Sequence, residues 1–148
     1  MIRLKEELKS ISNNKLSKIK MIAKEVRNEF ENYYDWKNDK KCFGNTCHTI
    51  ARDLEKKLKE AGIYAYRVNG LYYGADEDFE PDMSDWTNEE RWEYNDAIEN
   101  GDNFGFNHWW VVADNKFIVD ISADQFFPDE EDEYRVIITD LKDSNYGS

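Results

Sequence analysis

Three residues of this chain have types and settings suited to covalent catalysis. Cys47 lies in Gly44-Asn45-Thr46-Cys47-His48, where the spacing predicts the start of a helix. His108 opens the strand-like run His108-Trp109-Trp110-Val111-Val112, and Asp120 lies in the next such run, Phe117-Ile118-Val119-Asp120-Ile121. A thiol at a helix N-terminus, an imidazole on a strand and a carboxylate on the next strand make a cysteine-nucleophile triad in chain order Cys, His, Asp. The attacking species is the thiolate, which a helix N-terminus and a nearby imidazolium both favour. The chemistry is acyl transfer or hydrolysis at an amide or ester. Amides at the start of the same helix are natural donors to a developing oxyanion. The side-chain amides of Gln125 and Asn45 are further candidates, with Gln125 ranked slightly ahead. Trp109 or Trp110 would wall the site and exclude water.

Strand parity sets a condition on this triad. Side chains alternate, so His108, Trp110 and Val112 share one face, as do Ile118 and Asp120. A two-residue turn at Asp114-Asn115 would leave His108 and Asp120 on opposite faces. A three-residue loop, Ala113-Asp114-Asn115, would set His108 directly across from Asp120, and Asn115 tolerates the left-handed backbone such loops need. The triad therefore requires an odd loop or a bulge.

Each residue also has a plainer role. Cys47 could be a small buried residue on an apolar helix face, and His108 a hydrogen-bonded histidine at a strand start. His48 reads as structural or as a supporting group, because consecutive helix residues do not face each other. Cys42 reads as a loop or buried thiol, and Asp124 is the lesser alternative to Asp120. Cys42, Cys47, His48 and His108 are all zinc-ligand types, but their spacing lacks the usual paired pattern, so no metal and no cofactor are expected.

The elements that must position these groups follow from periodicity. Leu4, Leu8 and Ile11 recur at helical spacing, Ser12-Asn13-Asn14 interrupts, and Leu16, Ile19, Ala23, Val26 and Phe30 continue the stripe. This predicts one short and one long helix, then a loop from Tyr33 to Lys41. The next helix is expected from about Thr46 to Ala61, with Gly62 just past its end. Ile63 to Tyr73 reads as a strand, or as a strand pair about Asn69-Gly70. Residues 74–105 read as an acidic insertion. Thr87-Asn88-Glu89-Glu90 resembles a helix start there, with Trp92, Tyr94 and Ile98 packing weakly. Strands are expected at 107–113, 116–122 and 134–138. The order is α+β, a central helix packed on an antiparallel sheet. It forms a single domain over 1–148, with N-terminal helices in 1–41, a catalytic-like core in 42–73 and 106–139, and the insertion between.

Composition narrows the class. At 148 residues, 40% apolar and 15% aromatic, the chain is too hydrophobic to be disordered. It has no apolar run long enough to span a membrane and no signal peptide, so a cytoplasmic setting with reduced cysteines is expected. The net charge of −12 argues against direct nucleic-acid binding. Residues 1–41 are mildly basic, whereas Asp76 to Asp102 carries many acids and one basic residue, Arg91. A second acidic run spans Asp129 to Glu133. Such runs are usually solvated faces; the sharper reading is a surface that selects a basic partner or mimics a nucleic-acid backbone.

The order of a Cys-headed helix, a His-aromatic-Trp strand and an Asp-terminated strand resembles the transglutaminase-like branch of the papain-like cysteine fold. Val119-Asp120-Ile121-Ser122-Ala123-Asp124-Gln125-Phe126 is similar to the Asp-hydrophobic-Ser/Thr-Ala-acid-Gln-Phe signature of small bacterial and phage domains of that fold. Asn45-Thr46-Cys47-His48, followed by Ala51, Leu54, Leu58 and Gly62, also fits them. The resemblance covers roughly residues 42–127. It implies Cys47 as nucleophile, His108 as base and Asp120 as its orienter. That superfamily holds proteases, transglutaminases, deamidases, acyltransferases and inactive binding domains, so fold alone does not set the reaction. The first expectation is a cysteine-dependent hydrolase or acyltransferase whose partner is a protein or small amide substrate, with basic groups favoured by the insertion. The second is a non-catalytic acidic binding or inhibitor protein of phage or mobile-element type on the same scaffold, with nucleic-acid mimicry as one form of it.

Overall fold

The alternation along the strands is resolved by two different coverings of one sheet. The computed structural model describes the backbone of residues 2–33, 41–127 and 135–147, and the side chains of residues 14–32, 47–127 and 135–147. The strands are β1 (Ala65–Tyr72), β2 (Phe106–Ala113), β3 (Phe117–Asp120), β4 (Ile137–Asp140) and β5 (Tyr146–Gly147). They pair antiparallel in the order β4-β3-β2-β1-β5. Helices α1 (Ile2–Tyr33) and α2 (Lys41–Glu60) cover one face. Ala65, Val111, Ala113 and Val119 of the sheet, with Ile121, pack there against Ile19, Ala23, Val26 and Phe30 of α1 and Ile50, Ala51, Leu54 and Leu58 of α2. On the other face Trp110, Val112 and Ile118 pack with Val68 and Tyr146. Tyr72, Phe126 and Phe127 form a further cluster with Phe79, Phe106 and Tyr146. The class is α+β, as the sequence predicts. Among the described residues no helix is long and apolar enough to cross a membrane.

Several boundaries differ from expectation. Ser12-Asn13-Asn14 does not break the N-terminal segment, and α1 is one helix. Leu8 and Ile19 lie about three turns apart in sequence, so the apolar stripe stays in phase across the polar tract and does not require a break. Helix α2 begins at Lys41, earlier than the Thr46 start expected. β1 is one unbroken strand, with Asn69 and Gly70 paired to Trp109 and His108 rather than forming a turn. β4 starts at Ile137, later than the 134–138 run expected, and β5 was not expected at all. The loop of residues 34–40 and the acidic run 129–133 lie outside the described residues.

The insertion holds helix α3 (Asn88–Asn100). Its start is the predicted one: the Thr87 side chain accepts from the Glu90 amide and the Glu90 side chain accepts from the Thr87 amide. Gly101, left-handed at φ 69°, ends it. No residue of α3 is buried; Trp92 and Ile98 are 67% and 57% exposed. The expected weak packing is confined to Tyr94, which meets Trp86, Phe104 and Phe106. From there a train of rings continues: Phe106 stacks on Phe126, whose edge meets His108.

Candidate active site

The turn between β2 and β3 decides whether a histidine and a carboxylate can meet. Ala113 pairs with Phe117, leaving the three-residue loop Asp114-Asn115-Lys116. Asp114 and Asn115 are left-handed, at φ 57° and 52°. The loop is odd, as the triad requires, but it lies one residue later than the Ala113–Asn115 loop expected. The register Val111↔Val119, carried one step further, sets Trp110 across from Asp120, so His108 lies diagonal to the carboxylate rather than directly opposite. Diagonal neighbours on one face remain within reach of long or ring side chains.

His108 Nε2 lies 2.9 and 3.0 Å from the two Asp120 carboxylate oxygens, and both residues are buried. The Cys47 side chain, 8% exposed, hydrogen-bonds the imidazole as well. Nε2 is engaged by Asp120, and Nδ1 has the Gln125 side-chain nitrogen 3.4 Å away. The β2–β3 pairing ends at Val111, while His108 stays paired to Gly70 of β1. Burial alone would depress the His108 pKa. The charge and hydrogen bond of Asp120, aided by Cys47, outweigh burial and lift it from 6.5 to about 9. The imidazole is therefore protonated near neutrality.

Asp120 accepts two further hydrogen bonds, from the Ser122 amide at 3.1 Å and the Tyr146 hydroxyl at 2.9 Å. Burial and then the charge of Asp120 push Tyr146 ionisation far above the usual phenol range, so its hydroxyl stays a donor.

The other predicted residues are placed as follows. Gln125 lies on the 3-10 turn η1 (Ala123–Phe126). Its Nε2 donates to the Ser122 carbonyl at 2.9 Å and sits 3.4 Å from His108 Nδ1. Trp110 is buried on the His108 face, with ring centroids 6.2 Å apart, and walls the imidazole. Trp109 points to the other face and packs on His48 of α2 at 4.5 Å. The side chains of Asn45 and Cys42 lie outside the described residues. Asp124 does not replace Asp120, because it is held by the buried Arg27 through a bidentate pair at 2.6 and 2.8 Å. His48 Nε2 faces Arg67 at 2.9 Å, a supporting role on α2. Among the described residues no three His, Cys, Asp or Glu side chains are grouped to hold a metal.

One expectation is corrected. Cys47 is in the second turn of α2, not at its start, so its own amide belongs to the helix ladder. The unpaired amides of the helix N-terminus therefore precede Cys47 by about a turn and do not flank it as oxyanion donors.

Two residues bonded to this part of the structure were missed in the sequence. Arg27 carried a usable signal: it sits among Ala23, Val26 and Phe30 on the apolar stripe, where a charge implies a buried partner. Tyr146 carried none, because a two-residue strand has no measurable alternation.

Comparison with protein-family models, with curated proteins and with solved structures gave no match in any of the three. The chemistry of the site thus rests on its own geometry: a nearly buried thiol, a protonated imidazole and a fully hydrogen-bonded carboxylate in one connected row.

Proposed function

We propose that this chain is a cysteine-dependent hydrolase or acyltransferase of transglutaminase-like, papain-like type, acting on an amide or ester carbonyl. The observation that carries the reading is the buried row Cys47–His108–Asp120. An imidazolium beside a thiol favours the nucleophilic thiolate. The Cys47 sulfur attacks the carbonyl carbon and the carbonyl electrons move to oxygen. His108 gives its proton to the departing amine or alcohol as the tetrahedral intermediate collapses to a thioester. His108, now neutral, takes a proton from water or an acceptor amine as that group attacks the thioester. The thiolate leaves and the product acid or new amide is released. Asp120 holds the imidazole in orientation throughout.

The test is alkylation of Cys47 by iodoacetamide at neutral pH in a Cys42→Ser background. The reading expects fast alkylation that slows about tenfold or more in His108→Ala, because the rate follows the thiolate that the imidazolium sustains. Equal rates with and without His108 would sink it.

A second reading has its own observation, the acidic helix α3, which has no buried residue and carries Trp92 outward. Here the scaffold binds a basic partner and the thiol is idle. Charge reversal at Asp76, Glu77, Asp78, Asp82 and Glu89 would then abolish partner binding, whereas Cys47→Ala would leave it intact.

A further inference from the structure

A carboxylate placed diagonal to its histidine must be turned toward it and kept there. The terminal torsion of an aspartate is soft, so orientation comes from what its oxygens accept. In this site Oδ1 takes the Ser122 amide and Oδ2 takes the Tyr146 hydroxyl, while Nε2 of His108 lies across both oxygens. We infer that Tyr146 is a positioning residue of the site: its hydroxyl fixes the Asp120 carboxylate against His108, and β5 is the element that delivers it. This rests on the triad reading above.

The surrounding structure is arranged for that delivery. β5 pairs with the end of β1 through Leu71↔Gly147 and Tyr72↔Tyr146. The approach depends on Gly70, where a Cβ would collide with the Gly147 carbonyl and with the Trp110 ring. The turn before β5 is fixed by Asp143, which accepts from Thr139 at 2.8 Å and from the Asn145 amide at 2.9 Å. The Tyr146 ring is held between Trp110 and Tyr72, each 5.0 Å away. Its titratable neighbours are Asp120, Tyr72 and Asp143, and those of His108 are Asp120, Cys47 and Tyr72. A buried hydroxyl packed only for volume would not need an anionic acceptor. Here the donor's partner is the carboxylate that lifts the His108 pKa.

The experiment compares the full chain with Tyr146→Phe, His108→Ala and a form carrying 3-fluorotyrosine at 146, all in the Cys42→Ser background. Two quantities are read: the proton resonance of His108 Nε2–H and the alkylation rate of Cys47 by iodoacetamide. Folded Tyr146→Phe should shift that resonance or lose its protection from exchange, and should slow alkylation several-fold. Fluorination keeps the ring and makes the hydroxyl a stronger donor, so it should move the resonance in the opposite sense from phenylalanine. If Tyr146→Phe does not fold, the fluorinated form carries the test alone. An unmoved resonance in a folded variant overturns the inference, as does an unchanged alkylation rate in folded Tyr146→Phe. If His108→Ala alkylates as fast as the parent, the triad reading itself fails. If His108→Ala slows and Tyr146→Phe does not, only the role of Tyr146 fails.

Discussion

His108 stands between burial, which would expel its proton, and Asp120, which retains it; the carboxylate prevails. The same balance makes folding stability depend on pH. The group's pKa is 6.5 in an ordinary setting and about 9 in the folded chain. A raised value means the folded state binds the proton more tightly, so the contribution is fully present below pH 6.5 and is lost as pH rises through about 9. Urea unfolding across that window should show a decline in stability that His108→Gln lacks; parallel curves for the two proteins would contradict it. At this scale the sequence was legible where chemistry and parity agreed. Cys47, His108 and Asp120 were identified from residue type, run boundaries and the need for an odd loop. The diagonal placement of His108 was not, since moving the loop by one residue preserves parity while changing which residues oppose. Tyr146 was hidden because its partner is acquired through the tertiary fold rather than through any local pattern.

Between elements, Arg27 ties α1 to the segment after β3. Fully buried on α1, it donates to Asp124 twice, to the Ile121 carbonyl at 2.6 Å and to Glu31 at 3.0 Å. It thus fixes the end of β3 and the η1 turn that carries Gln125. Arg27→Met would leave Asp124 buried without its countercharge. The expected loss is about 3–5 kcal/mol in chemical denaturation, the usual result of breaking a buried pair from one side. A loss under about 1 kcal/mol, the range of exposed pairs, would mean that solvent reaches Asp124. Helix α3 behaves oppositely. Thr87→Ala removes a cap, costing that helix about 1 kcal/mol. Because α3 has no buried residue and packs mainly through Tyr94, the global unfolding midpoint should barely move while α3 amides exchange faster with deuterium. The α2 and β2 assignments were legible from long, unambiguous periodicity. The apparent break in α1 was not, because capping residues signal an end only when the apolar stripe also changes phase.

Across the whole molecule, charge and topology act over longer distances. A net charge of −12 repels itself in the compact state, and exposed pairs such as Lys15–Asp114 at 3.4 Å do little against it. Screening should therefore raise the melting temperature as sodium chloride is increased, since the Debye length falls from about 10 Å at 0.1 M to about 3 Å at 1 M. A falling melting temperature would mean that favourable pairs dominate. The α+β class was legible from element order. The order β4-β3-β2-β1-β5 was not, because edge strands as short as β5 leave no trace in sequence. The wide separation of the groups that hold the site has a consequence in time. Arg27 meets Asp124 across 97 residues, and Glu31 meets Arg135 across 104. Closures of such loops come late in folding because chain entropy opposes them until other contacts compensate. On the function proposed above, a refolding chain should thus acquire its activated thiol only in its final phase. Pulses of iodoacetamide at successive delays would then use Cys47 as a clock for the last step of folding.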